Sequence, residues 1–116
     1  MRTKVPTEHA EQVTLVQWFR RQYPGVLIFA IPNGGQRNAA VALKLKLEGV
    51  VRGVPDLYIP AWRTWIEMKR TKGGKVSPEQ AAIIDYLRWI GDTVIVARGF
   101  EEAKALLSPG LHQFEK

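Results

Sequence analysis

The sequence predicts an α/β domain, a mixed β-sheet flanked by helices in the order α-β-α-β-β-α-β-α. Three observations point there. Two continuous β-favouring runs, VLIFAI at 26–31 and TVIVA at 93–97, have the length and composition of buried strands. Between them, residues 53–69 read GVPDLYIPAWRTWIEMK and are laid out symmetrically about Ala61-Trp62. A hairpin centred there pairs Pro60 with Arg63, Tyr58 with Trp65 and Asp56 with Glu67. The last strand follows a helix rather than a tight turn, which permits a right-handed crossover and a parallel neighbour, hence a mixed sheet.

The elements follow in order. Residues 1–7 form an arm ending near Pro6, and Thr7 is placed to cap a helix running to about Gln22. Glu8 and Glu11 lie where negative charge favours a helix N-terminus. Val13, Val16, Trp18 and Phe19 contribute its apolar surface, and Pro24-Gly25 ends it. After the first strand, PNGGQRN is a turn, with Asn33-Gly34-Gly35 tolerant of left-handed backbone. Residues 37–48 read as a basic helix by propensity, although Val41, Leu43, Leu45 and Leu47 alternate rather than follow a helical period; Gly49 stops it. The hairpin spans 55–69 and TKGGK at 71–75 leaves it. Ser77 caps a third helix, with Pro78 in its first turn and Ile83, Ile84, Leu87 and Ile90 as its buried stripe. Residues 100–107 form a short last helix.

At 116 residues the chain is expected to form one domain, 1–116, with its core at about 8–107. Apolar and charged contents of 46% and 24% are ordinary for a globular protein. The absence of cysteine excludes disulfides, thiolate catalysis and cysteine zinc sites, and His9 and His112 show no metal spacing. No apolar run is long enough to span a bilayer, and MRTKVPTEHAEQ lacks the apolar region of a signal peptide. No membrane partner and a cytoplasmic location are therefore expected. The net charge of +6 is uneven: residues 1–55 carry a surplus of +5, and Lys69, Arg70, Lys72 and Lys75 follow one another without an intervening acid. Such a surface attracts a polyanion and displaces its counterions.

The hairpin carries the chemistry. Alternate residues of a strand share a face, so Glu67 and Lys69 point one way and Met68 the other. Asp56, opposite Glu67, brings a second carboxylate within cross-strand reach. Mg²⁺ takes oxygen ligands and retains several waters, so one or two carboxylates plus substrate phosphate oxygens suffice to bind it. A bound ion neutralises charge on the reacting phosphorus and activates a water, while Lys69 orients that water or stabilises developing charge. Taken alone, Glu-x-Lys on a strand is more often a solvated ion pair. The preceding Gly-Val-Pro and the basic glycine loop behind it shift the balance.

GVPDLYI followed by WIEMK resembles the PD-(D/E)xK nuclease signature. The longer series IPNGG, KLKLEGVVRGVPDLYI and WIEMKRTKGGKVSPEQ resembles the VRR-NUC family of virus-type replication-repair nucleases, over about residues 8–107. The resemblance implies a restriction-endonuclease-like core. It also implies Asp56 and Glu67 as metal ligands with the Met68 carbonyl as a further one, Lys69 as catalytic lysine, and Gln80 as the helix glutamine of the site. It adds a first-helix glutamate, either Glu8 or Glu11, of which Glu8 fits better. Mg²⁺ is the implied cofactor, with Mn²⁺ as substitute. Water attack expelling the 3′ oxygen would leave a 5′ phosphate. Standalone members of similar size imply a homodimer acting on branched DNA, four-way junctions above all.

DNA contacts are expected from Asn33 and Arg37 in the turn, Lys44 and Lys46 on the second helix, and Arg52, Arg70, Lys72 and Lys75 around the hairpin. Trp62 at the hairpin tip is expected to be exposed, and Trp18 and Trp89 to be core. Tyr58 and Trp65 are expected to face each other. The competing reading is a basic nucleic-acid-binding module without catalysis, in which Asp56, Glu67 and Lys69 form a structural ion-pair cluster.

Overall fold

A computed structural model describes residues 4–32 and 38–107. The expected order is found, with a 3₁₀ turn added at the hairpin tip: α1 (Glu8–Gln22), β1 (Phe29–Ala30), α2 (Ala39–Leu47), β2 (Leu57–Ile59), a 3₁₀ turn (Pro60–Trp62), β3 (Thr64–Lys69), α3 (Pro78–Trp89), β4 (Thr93–Arg98) and α4 (Phe100–Leu106). The sheet is mixed, in strand order β1-β2-β3-β4, with β3 and β4 parallel and the other pairs antiparallel.

The hairpin register is the one the sequence symmetry implied: Leu57 pairs with Ile66, Tyr58 with Trp65 and Ile59 with Thr64. The tight reversal places Arg63 in the left-handed region, at φ 48°. Arg63 is held there by Asp92, whose Oδ1 accepts from Arg63 Nε at 2.8 Å. The other oxygen of Asp92 accepts from Trp65 Nε1 at 2.9 Å, so one carboxylate ties the turn to the strand behind it.

Strand alternation divides the core in two. Leu57, Ile59, Ile66 and Met68 face one side, where α1 supplies Leu15 and Phe19 and α4 supplies Ala103, with Leu107 just beyond it. On the opposite face, Ile84 and Leu87 of α3 pack on Val94, with Trp65 and Val96 beside them. The functional hairpin is therefore clamped between layers. Thr7 caps α1 by accepting from Ala10 N–H at 3.0 Å, and Asn38 caps α2 by accepting from Val41 N–H at 2.8 Å.

Three expectations are corrected. Of VLIFAI, only Phe29–Ala30 is strand. This segment is the sheet edge, its one partner strand is three residues long, and only Ile28 is fully buried in the core, with Val26 partly buried against it. Trp89 is 82% exposed rather than core. The buried stripe of α3 runs through Ile84 and Leu87 without the expected Ile90, which is exposed, and at 3.6 residues per turn Trp89 falls well away from it. Trp62 is half-buried, not exposed. The 3₁₀ turn folds its indole back onto α1 and the residue after it, with ring centroids 5.1 Å from Phe19 and 4.9 Å from Tyr23.

α2 is helical as expected, yet none of its residues is buried. A helix apolar on several sides with none of its residues buried is unusual for a folded chain.

Candidate active site

The two strands of the hairpin part at Asp56, one residue before β2. Its main chain still belongs to the sheet, since its carbonyl accepts from Ile31 N–H at 2.8 Å. Its side chain takes the place of a ladder partner: Asp56 Oδ2 accepts from Met68 N–H at 2.7 Å. That bond fixes the carboxylate against β3 beside Glu67. Met68 itself turns its side chain into the core, so only its main chain reaches the site.

Glu67 and Lys69 are both buried, at 2% and 4% exposure. Lys69 Nζ lies 3.2 Å from Glu67 Oε2. Gln80, from the first turn of α3, bridges the two. Its Nε2 donates to Glu67 Oε2 at 3.0 Å, and its Oε1 accepts from Lys69 Nζ at 2.8 Å. The same Oε1 accepts from Ser77 N–H at 2.9 Å, completing a capping box with the Ser77 hydroxyl. A first-turn glutamine often points to water; this one is held from three sides.

The electrostatics follow from burial. Glu67 is pushed up to about 7 by loss of solvent, then by the nearby charge of Asp56, with Lys69 partly offsetting both. Asp56 is also raised. Burial is the largest cause, the Met68 N–H bond opposes it, and the charge of Glu8 adds to it. Among the described residues, Glu67 Oε1 is buried and accepts no hydrogen bond from an N–H donor, and the Asp56 and Glu67 carboxyls lie close enough to share a proton. A buried carboxylate oxygen left without such a donor is costly. Two crowded carboxylates, one with an oxygen that no N–H reaches, form the donor set that a hard divalent cation satisfies. The residues present fit such an ion.

Around this centre the sequence-derived candidates divide. Asp56, Glu67, Lys69 and Gln80 converge. Glu8 is exposed in the first turn of α1 and is the acid of that helix whose charge reaches Asp56. Glu11 is engaged elsewhere: its Oε1 accepts from Phe100 N–H at 2.9 Å, at the N-terminus of α4. Among the described residues no group of three or more Asp, Glu, His or Cys side chains converges to hold a metal. The expected meeting of three acids is thus reduced to two. Drawing in a third carboxylate beside two that already repel is unfavourable when Lys69 alone opposes them.

The basic residues lie outside the centre. Arg52, Arg70, Lys72 and Lys75 are exposed, as are Lys44 and Lys46 on α2. Asn33 and Arg37 fall outside the described residues. The glycine loop after β3 is folded against the site rather than extended. A Cβ at Gly74 would lie 3.1 Å from Lys69 Cβ, and Arg98 donates a hydrogen bond to the Gly74 carbonyl.

The contacts made by two residues escaped the sequence reading. Arg98, the register partner of Lys69 on β4, pins the loop; its place at the end of the last strand was the available signal. Gly53 has φ +95°, and a Cβ there would come within 2.8 Å of the Glu79 carbonyl group and 3.0 Å of Gln80 N. The glycine of GVPD therefore lets the loop carrying Asp56 rest on the helix turn carrying Gln80.

No family model matches the chain, and no curated protein matches it. Among solved structures, one described as a VRR_NUC domain protein superposes with a TM-score of 0.76 and 27% sequence identity, covering 90% of this chain and 87% of that chain. The mixed four-stranded sheet flanked by helices is consistent with a restriction-endonuclease-like fold. No helix among the described residues is long and apolar enough to cross a membrane. The motif series, the fold and this structural neighbour agree: over most of its length the chain is similar to a VRR_NUC domain protein.

Proposed function

We propose that the domain is a Mg²⁺-dependent DNA endonuclease, with Mn²⁺ as an alternative ion, that hydrolyses phosphodiester bonds at the Asp56–Glu67–Lys69 site. The observation that carries this reading is Glu67 Oε1, buried without an N–H donor beside a second raised carboxylate. A purely structural ion-pair cluster, as in a non-catalytic binding module, would be expected to satisfy that oxygen.

Asp56 and Glu67 would hold the ion, with the Met68 carbonyl and Glu8 as further candidates. When bound, it would lower the pKa of a water and neutralise charge on the phosphate. Lys69, whose ammonium donates to Gln80 Oε1, would act as a fixed cation toward the reacting oxygens. Water attacks phosphorus in line, the bond to the 3′ oxygen breaks, and that oxygen takes up a proton, leaving a 5′ phosphate. Positive charge on Arg52, Arg70, Lys72 and Lys75 would bind the strand on either side.

A one-site domain that must cut both strands of a branched DNA benefits from two-fold pairing, because each protomer supplies one cut. Four-way junctions resolved by a homodimer are the substrate and assembly we propose. The test is incubation with linear duplex, flap and four-way-junction DNA, in Mg²⁺ or EDTA, with mapped cut positions. Symmetric metal-dependent cuts on the junction support the whole reading. Cuts on linear duplex alone would remove the junction, and intact DNA of every shape would remove the enzyme.

A further inference from the structure

One row of side chains crosses the sheet on the face that carries the carboxylates. Phe29 is the register partner of Tyr58, and Tyr58 that of Trp65. Their rings are in contact: Phe29 and Tyr58 at 6.0 Å between centroids and nearly perpendicular, Tyr58 and Trp65 at 4.1 Å and tilted by 32°. The next row on the same face holds Asp56 and Glu67, since alternate strand residues share a face. Two residues of strand separate the rows, about 7 Å.

This row is anchored at one end and open at the other. Trp65 is fixed by its hydrogen bond to Asp92 and packed against the α3 cluster. Phe29, on the edge strand, is 40% exposed. Tyr58 is half-buried, and among the described residues its hydroxyl makes no hydrogen bond. The molecule's main aromatic core, Trp18, Phe19, Tyr23, Trp62 and Phe100, lies with the α1 and α4 cluster on the opposite face. The Phe29–Tyr58 end is therefore not needed to close that core.

We propose that Phe29 and Tyr58 form a stacking platform for one unpaired nucleobase beside the scissile phosphate. This inference rests on the nuclease reading of the neighbouring row. A strand whose phosphate sits at Asp56 and Glu67 brings the adjoining nucleotide over the aromatic row. A base still stacked within a duplex has no free face to offer, so the platform selects a nucleotide that is unpaired or turned out. Stacking tolerates any base, because each has a π-face, and the Tyr58 hydroxyl can bond a base edge. The chain's net charge of +6 favours nucleic acid over another apolar surface as the occupant.

The test is photo-crosslinking of the full chain to gapped DNA carrying 5-iodouracil at successive positions around the gap, with Ca²⁺ in place of Mg²⁺. Cross-links are mapped by mass spectrometry, and Phe29→Ala is compared by affinity for gapped and fully paired DNA. The expected result is a cross-link at Phe29 or Tyr58 from one nucleotide position. The exposed Phe29→Ala variant should bind gapped DNA roughly tenfold more weakly and duplex unchanged. Cross-links confined to other residues, such as the exposed pair Tyr86 and Trp89, would overturn the platform, as would equal losses on both DNAs. If the wild type cuts DNA yet never cross-links at this row, the platform fails and the nuclease stands. If it cross-links there but cuts nothing in any divalent metal, the nuclease reading fails and the platform stands. Absence of DNA binding would overturn both.

Discussion

Lys69 Nζ and Gln80 Oε1 lie 2.8 Å apart, and that same Gln80 oxygen caps α3 through Ser77 N–H. The proposed catalytic lysine and the start of a helix thus share one acceptor atom. Lysine carries a flexible four-carbon stem, so its ammonium needs such a fixed partner to occupy one position.

Gln80→Ala should accordingly act on two quantities at once. Loss of the side-chain half of the capping box and of the acceptor for Lys69 should cost about 1–2 kcal/mol, read from denaturant unfolding. A freed Lys69 should slow DNA cleavage by roughly tenfold to a hundredfold, because small misplacements of a reacting group are expensive. An unchanged rate at reduced stability would confine Gln80 to capping.

Glu67 links the site to pH. Its folded pKa of about 7 lies above the ordinary value of 4.5. Between those limits the folded protein keeps a proton that the unfolded chain has released. The stability associated with that proton is complete below the lower value and is lost as pH rises through the upper one. In EDTA, the Tm of Glu67→Gln should therefore gain on that of the wild type by several degrees between about pH 5 and pH 8. Added Mg²⁺ at the higher pH should narrow the gap. A gap independent of pH would contradict the electrostatic description of the pair.

Gly53→Ala tests whether the loop carrying Asp56 is seated by contact with α3. The substitution forces alanine to φ +95° and into the Glu79 carbonyl group. Gly49, at φ +103° with open space around it, isolates the conformational part of the cost. Gly49→Ala should lose about 1 kcal/mol, and Gly53→Ala about 2–4 kcal/mol together with most of its cleavage. Equal losses in the two variants would remove the contact from the account.

Asp92 offers a control away from the chemistry. Asp92→Ala strips the partner from Trp65 Nε1 and from Arg63, and should destabilise by about 1–2 kcal/mol. It should still cut DNA within a few-fold of the wild-type rate. A collapse of activity at full stability would mean that the hairpin tip takes part in the reaction.

What the sequence disclosed was mostly local. Hairpin register was legible because Tyr58 and Trp65 make a cross-strand aromatic pair and the distance between Asp56 and Glu67 suits a short turn. The caps at Thr7 and Ser77 were legible because capping is a matter of neighbours. The errors arose where distant segments decide. Whether Trp62 is bare depends on α1, some forty residues upstream. Whether Glu11 is free depends on Phe100, which takes its carboxylate from 89 residues away. VLIFAI has the composition of a central strand, and only the strand order reveals it as an edge. Gln80 was marked by the family resemblance, but its triple engagement required the fold of β3 against α3.

The central claim is that Asp56 and Glu67 together hold a divalent cation, and the most direct measurement is calorimetric titration of Mn²⁺ into the wild type and three variants at about pH 7.5. Uptake by the wild type should be abolished or severely weakened in Asp56→Ala and Glu67→Ala. It should persist in Glu11→Gln, whose residue caps α4. Absence of uptake by folded wild type, or equal uptake by Asp56→Ala, would contradict the account.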